Sequence, residues 1–421
     1  MPQRVDLSSL TGLRWYAALT VFACHIAQQG FFADQQVGSA LLHITPLGSM
    51  AVSVFFILSG FVLTWSARDE DSVPTFWRRR IAKIYPLHLA TFGIAALIIF
   101  SLSEPVLPGG SVWDGLVPNV LLVQSWLPDA TLTASFNTPS WSLSCEIAFY
   151  LSFPLWYRLV RRIPARRLWW CAAGLAAAVT CVPFLAGLLP ASEEVAPGMS
   201  LNEVWFAYWL PPVRMLEFVL GIVMALILRA GVWRGPGPLV CTLLLAASYG
   251  LTQVVPAMFT LVACSIVPAA LLITALADAD VHGRRTGLRS TLLVRLGQWS
   301  FAFYLVHFMV IRYGHRLMGG DLGYERQWST PAAIALSLAM LAVAILAGGL
   351  LHAVVEQPCM RLFGSRRSTA LPKTGATAAP RHSPAPDAAG VLAVPGVPGP
   401  TPAPEPAPAP AVANEPTPRG R

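Results

Sequence analysis

Charged side chains are scarce in this sequence. Asp, Glu, Lys and Arg together make up 12% of 421 residues, and Lys83 and Lys373 are the only lysines; a soluble domain carries about twice that share of charge. With 55% of residues hydrophobic, the shortage excludes an ordinary water-soluble globular protein. Cysteine is also sparse. Cys24, Cys145, Cys171, Cys181, Cys241, Cys264 and Cys359 stand singly, without paired spacing or a neighbouring His cluster, which excludes a disulfide framework and a zinc site. Apolar and polar residues do not alternate, so a membrane β-barrel is excluded as well. Nothing outside the apolar runs is large enough to fold as a separate soluble catalytic domain.

What remains is a series of continuous apolar runs between residue 10 and about residue 355, each suited to crossing roughly 30 Å of hydrocarbon. The expected fold is therefore all-α, a polytopic transmembrane helix bundle. Ten spans are expected, at 10–30, 47–66, 84–103, 138–158, 168–189, 205–229, 238–256, 257–277, 294–318 and 330–355. The seventh and eighth abut around Pro256 with almost no loop. Residues 112–127 are apolar but short and broken by proline, and belong at the membrane interface or in a re-entrant piece. The first run shows no cleavage site of the A-x-A type, so it reads as a span and not as a signal peptide.

The net charge of +8 is distributed as a topology signal and not as a nucleic-acid footprint. Arg68, Arg78, Arg79, Arg80 and Lys83 fill one loop, and Arg158, Arg161, Arg162, Arg166 and Arg167 the next. Arg229 with Arg234, then Arg284, Arg285, Arg289 and Arg295, then Arg361, Arg366 and Arg367 continue the series. The intervening loops hold acidic residues and neither Lys nor Arg. By the positive-inside rule the basic loops are cytoplasmic, and ten spans then put both termini there. Residues 1–363 read as the transmembrane domain and 364–421 as a disordered cytoplasmic tail, rich in Pro and Ala. LPKTG at 371–375 lacks the following apolar span of a cell-wall sorting signal and is read as chance. The heavy preference for Arg over Lys, with abundant Ala and Pro, hints at a high-GC bacterium and so at a bacterial cytoplasmic membrane.

Polar residues inside the spans carry the functional signal, because an ionisable group in hydrocarbon costs about 2.5–3.5 kcal/mol on insertion scales and normally faces a bundle interior or a wet cavity. Arg14 and His25 stand eleven residues apart. Eleven helical steps make three turns plus roughly 20°, so both lie on one stripe about 16 Å apart. Glu146 lies in a span entered from the outer side. Arg214 and Glu217, three apart, suit a structural ion pair. Ser300, Tyr304 and His307 share a helix face, and Glu356 closes the last span at its interfacial edge.

These residues, in this order, resemble the integral-membrane acyltransferase-3 family over residues 7–363. Arg14 and His25 match its Arg-x10-His motif, FFILSGF (55–61) its second-helix motif, and RRRIAKIYP (78–86) its basic segment. PSWSLSCEIAFY (139–150), RMLEFVLG (214–221), LGQWSFAFYLVH (296–307) and Glu356 with Pro358 also fit. Lys83 stands where a second Arg is usual and Ile147 where a second Glu often follows. Lys keeps the charge but loses bidentate geometry toward phosphate.

The resemblance implies transfer of an acyl group, commonly acetyl, from acyl-CoA to a hydroxyl. Arg14, Arg78, Arg79, Arg80 and Lys83 would hold the donor's phosphates, with a pantetheine arm spanning the distance to His25. His25 would be the general base and Glu146 would orient its ring. Ser300, Tyr304 or His307 would bind the acceptor or polarise the carbonyl. No metal is expected. The acceptor is a cell-surface or lipid-linked glycan, with a small-molecule natural product such as a glycosylated antibiotic as the alternative. A transporter or flippase would also line a path with intramembrane charges, but the sequence has neither an internal repeat nor paired broken helices.

Overall fold

The computed structural model describes residues 5–68, 71–104 and 111–364. The proline- and alanine-rich tail expected at 364–421, with LPKTG, lies outside the described residues apart from Gly364. The described residues are mainly helical, with one small antiparallel hairpin among them of β1 (Glu194–Ala196) and β2 (Met199–Ser200). The first half comprises α1 (Ser8–Gln28), α2 (Gln35–Leu42), α3 (Thr45–Ser66), α4 (Val73–Ser101), α5 (Val112–Leu121), α6 (Ala130–Ala134), α7 (Trp141–Val160) and α8 (Ala165–Ala186). The second comprises α9 (Leu201–Val204), α10 (Pro211–Arg229), α11 (Pro238–Thr252), α12 (Ala257–Leu261), α13 (Ile266–Val281), α14 (Thr291–Gly319), α15 (Thr330–Leu351) and α16 (Gln357–Gly364). π-Helical turns at Trp205–Trp209 and His352–Glu356 join α9 to α10 and α15 to α16.

Among the described residues seven helical stretches are long and apolar enough to cross a membrane: Gln35–Ser66, Val73–Ser101, Ala165–Ala186, Leu201–Arg229, Ala257–Val281, Thr291–Glu325 and Thr330–Phe363. The other three expected spans are helical but differ in kind. α1 and α7 run for 21 and 20 residues and carry Arg14 with His25 and Glu146 with Arg158, which lower their apolar character. α11 has 15 residues, fewer than the roughly 20 a perpendicular span needs. The boundary between the expected seventh and eighth spans also differs, because helix geometry breaks a second time at Val262, between α12 and α13. Residues 112–121 form the short α5, as their length requires.

Burial sorts the helices into inner and outer ones. In the stretch ending with α3, 72% of the apolar window is buried, whereas in the stretch beginning with α15 only 17% is. Both are apolar all round; such a helix belongs to a protein interior or to lipid, and packing decides which. α3 packs against α1 and α10, α1 against α14, and α10 also against α7 and α8, so these helices form the wall of the site.

The segment Arg78–Lys83 corrects the sequence reading, which placed it in a loop. It lies inside α4, because Ser72 caps the helix by accepting a hydrogen bond from the Thr75 amide and Pro74 occupies its first turn. At 29 residues, α4 is about 43 Å long and outreaches the hydrocarbon by roughly two turns, which carries the basic residues out to the interface.

α1 lacks a side-chain cap of its own. Asp280, buried at the end of α13, supplies one: its carboxylate accepts the Ser9 amide at 2.8 Å and the Ser9 hydroxyl at 2.6 Å, and Arg289 lies 3.5 Å away. An acceptor at a helix N-terminus satisfies an orphan donor and complements the macrodipole. Asp280→Ala is expected to cost about 1–3 kcal/mol, read as a lower thermal midpoint of the detergent-solubilised protein. An unchanged midpoint would show that α1 is held elsewhere.

Candidate active site

Three cavities lie one after another along α3 and α7. The first, of about 480 Å³, is lined at the start of those helices by Pro46, Ser49, Val52 and Trp141, and also by Cys24, His25, Tyr208, Trp209 and Tyr304. The second, of about 50 Å³, is lined by Arg14, Val52, Phe55, Phe56, Ser142, Glu146, Ser300 and Tyr304. The third, of about 200 Å³, sits at the ends of the same helices, where Arg68, Arg79, Arg80, Arg158 and Arg161 surround Phe76, Phe153 and Tyr157. From Pro46 to Ser66 is twenty helical steps, about 30 Å, so the series runs the thickness of a bilayer core.

His25 reaches the first cavity near the end of α1, where its ring stacks on that of His307 from α14, with centroids 5.0 Å apart and planes within 11°. His25 Nδ1 and His307 Nε2 are hydrogen-bonded at 2.8 Å, and His307 Nδ1 lies 2.7 Å from the Tyr304 carbonyl oxygen. A carbonyl only accepts, so His307 Nδ1 carries the hydrogen. In the neutral ring His307 Nε2 is then an acceptor, His25 Nδ1–H donates to it, and His25 Nε2 keeps its lone pair. The arrangement fixes the tautomer of a base at the cavity wall. The edge of Phe308 packs on His25 at 4.8 Å and holds the ring plane.

Glu146 is in a different place from the one sequence reasoning gave it. The contact to His25 Nδ1 is made by His307, and Glu146 on α7 faces Arg14, Lys83, Arg80 and Tyr150. Lys83 also pairs with Glu356, its Nζ 3.5 Å from Oε1. His352 Nδ1 holds the other oxygen of Glu356 at 2.9 Å, and Gln357 contacts His352 Nε2 at 3.0 Å. A π-turn is a frequent feature of functional sites, and here it brings His352 and Glu356 onto one side. Glu356, read as interfacial from its position in sequence, is buried.

The expected residues thus divide. His25 and Tyr304 line the first cavity, with His307 bonded to His25; Arg14, Glu146, Ser300 and Tyr304 line the second, with Lys83 beside them; Arg80 and Arg79, the latter paired with Asp71, line the third. Arg78 is exposed on α4 and lines none of the three. Ser300 donates to the Gly297 carbonyl at 2.8 Å. Sequence reasoning missed Tyr150, His352, Val52 and the pocket role of Arg158 and Arg161. His352 did leave a signal, four residues before Glu356 on a helix; Arg158 and Arg161 were read as topology markers alone. Arg214 and Glu217 form the expected buried ion pair at 2.9 Å, and Ser53 donates to the same carboxylate at 3.2 Å.

The arrangement has spare capacity for an anion. Arg14 Nε and Arg80 Nε are buried with no hydrogen-bond partner among the described residues. An unmet buried donor is costly, and native structures normally supply it with a partner. Among the described residues no three His, Cys, Asp or Glu side chains converge as metal ligands do.

Comparison with known proteins decides the class. The model of the acyltransferase-3 family, described as an acyltransferase domain, matches residues 7–349. The chain belongs to that family. It is 79% identical over 376 residues to the acyltransferase MdmB of Streptomyces mycarofaciens, covering 89% of this chain and 97% of the relative. It is 24% identical over 240 residues to the putative peptidoglycan O-acetyltransferase YrhL of Bacillus subtilis (strain 168), covering 52% of this chain and 33% of the relative. No solved structure matches. This member of the acyltransferase-3 family is a multi-pass membrane protein and an enzyme of acyl transfer.

Proposed function

We propose that the protein is an acyl-CoA-dependent O-acyltransferase in which His25 is the general base. The observation that carries this reading is the chain from the Tyr304 carbonyl through His307 to His25, which leaves Nε2 basic at the wall of the largest of the three cavities. His25 Nε2 takes the acceptor hydroxyl's proton as that oxygen bonds to the thioester carbon. The carbon–sulfur bond breaks, and His25 returns the proton to the departing thiolate, giving the ester and free CoA. His307 stabilises the cationic ring by keeping Nδ1–H engaged.

Arg14, Arg80 and Lys83 hold the donor, with acetyl-CoA as the preferred one. The two unpartnered guanidinium nitrogens supply donors for phosphate oxygens, and the five arginines of the third cavity, with Phe76 and Tyr157, suit the charged aromatic end of the donor. Glu146 keeps Arg14 and Lys83 in place between the cavities. With the arginine-rich ends cytoplasmic, the donor comes from the cytoplasm and both ends of the chain lie there, in a bacterial plasma membrane.

The first cavity supports an acceptor with a large apolar surface. Trp141, Tyr208, Trp209, Met199 and Leu261 line it, and His25 is its one titratable nitrogen base. Aromatic walls interspersed with the polar side chains of Gln28, Thr45, Ser49, Thr138 and Thr260 fit a bounded, hydroxylated small molecule that carries a sugar, and a glycosylated natural product is the acceptor we favour. A cell-surface or lipid-linked glycan is a second reading, favoured by the position of this cavity at the end of α3 and α7 opposite the arginines and by the name of the Bacillus relative.

Thiol release by the detergent-purified protein tests the proposal, with acetyl-, propionyl- and longer acyl-CoA, and with hydroxylated, glycosylated natural products or glycan fragments as acceptors. Release that requires an acceptor is the expected result, and the class of acceptor that elicits it separates the two readings. No release with any pair would return a transport role.

A further inference from the structure

The second cavity stands between the arginine-rich pocket and His25, and Val52 and Tyr304 are the two residues that line both it and the first. Both are buried. Val52 stands one turn from Phe55 on α3, and the Tyr304 ring from α14 meets Phe55 edge-on at 6.0 Å. The Tyr304 hydroxyl is hydrogen-bonded to Ser142 of α7 at 3.0 Å. Three helices therefore fix one aromatic ring across the passage, and a β-branched side chain, stiff at its first torsion, closes the other side. The cavity behind this constriction is the smallest of the three, about 50 Å³ against about 200 Å³ on the arginine-rich side and about 480 Å³ on the His25 side.

We propose that Val52 and Tyr304 form a throat that selects the acyl group by length, passing groups of two or three carbons to His25 and excluding longer chains. The inference rests on the donor entering from the arginine-rich side, as in the function proposed above. A short acyl group fits beside Val52 with the thioester carbon turned toward the first cavity. Each further methylene has no space there unless α3 and α14 part. Tyr304 is in this scheme a specificity-determining residue with two separate duties: its carbonyl holds His307, and its ring narrows the path.

The test compares kcat/KM for acetyl-, propionyl-, butyryl- and hexanoyl-CoA in the full-length wild type, Val52→Ala, Val52→Leu and Tyr304→Phe, with one acceptor throughout. In wild type the values fall steeply at butyryl. One methylene in a fitted pocket is worth about 10- to 200-fold; Val52→Ala is expected to raise the hexanoyl-to-acetyl ratio at least tenfold, and Val52→Leu to lower the propionyl-to-acetyl ratio. Tyr304→Phe frees the ring from Ser142 and shifts the ratio in the same direction as Val52→Ala. A general loss of folding or activity moves all four donors together, so the ratio isolates the throat. Equal ratios in all variants that release CoA overturn the throat and leave the transferase standing. Absence of CoA release from every donor in wild type overturns the transferase and the throat with it.

Discussion

His25→Ala is expected to lower acceptor-dependent CoA release about 10³-fold or more while the protein remains folded, because positioned general-base catalysis contributes about 10²–10⁴-fold and nothing else at the cavity wall can take the proton. The neighbouring ring gives this prediction its sharper form. His307→Leu removes the acceptor for His25 Nδ1–H, so the imidazole is free to adopt the other tautomer, with its hydrogen on Nε2 and no base toward the cavity. His307→Gln keeps a carbonyl oxygen that can receive the same hydrogen. The expected order of kcat is wild type, then His307→Gln, then His307→Leu about 10²-fold down, by analogy with the loss when a triad's orienting group is changed. The double variant His25→Ala/His307→Leu should be no slower than His25→Ala alone, since groups that act as a unit are not additive. Equal activity of the Gln and Leu variants would sink the tautomer argument even if His25 proved essential.

The pair at the centre of that prediction was half legible in the sequence. Hydropathy marked the bundle, and the eleven-residue spacing put Arg14 and His25 on one stripe. His307 was singled out on its own helix, but no periodicity can report that residues 25 and 307 touch, 282 positions apart. Glu146 went astray for the same reason. A carboxylate in a span near a histidine is a natural partner for it, yet the rotation of α7 turns Glu146 toward Arg14, Arg80 and Lys83. The basic run at 78–80 was misread for a different reason, since Ser72 and Pro74 are a readable helix start that the density of arginine concealed. The three cavities were out of reach altogether, because they arise where side chains from non-neighbouring segments leave space between them.

Gly221→Leu is expected to prevent assembly of the folded protein, and the reason lies in the close approach of α3 and α10. A Cβ built on Gly60 of α3 would lie far inside van der Waals contact distance of the Phe218 carbonyl oxygen, and one on Gly221 of α10 far inside that of the Ile57 carbonyl oxygen. The two backbones thus meet through reciprocal glycines. Between membrane helices lipid offers no hydrophobic drive toward association, so close approach of small residues supplies much of it. The contact also sets the register of the site: α3 carries Val52 and Ser53, and α10 carries Arg214 and Glu217, joined to Ser53 by hydrogen bonds. Even Gly60→Ala or Gly221→Ala should cost about 1–3 kcal/mol through forced displacement, and the double variant less than the sum because both act on one contact. The sign is diagnostic. Ala is intrinsically better than Gly in a helix by about 1 kcal/mol, and Gly93 on α4 and Gly174 on α8 have nothing within 4 Å of a built Cβ. Gly93→Ala and Gly174→Ala should therefore leave the thermal midpoint unchanged or raised, while alanine at 60 or 221 lowers it. A fall of the same size at all four positions would mean that helix flexibility, and not the α3–α10 contact, is what these glycines provide.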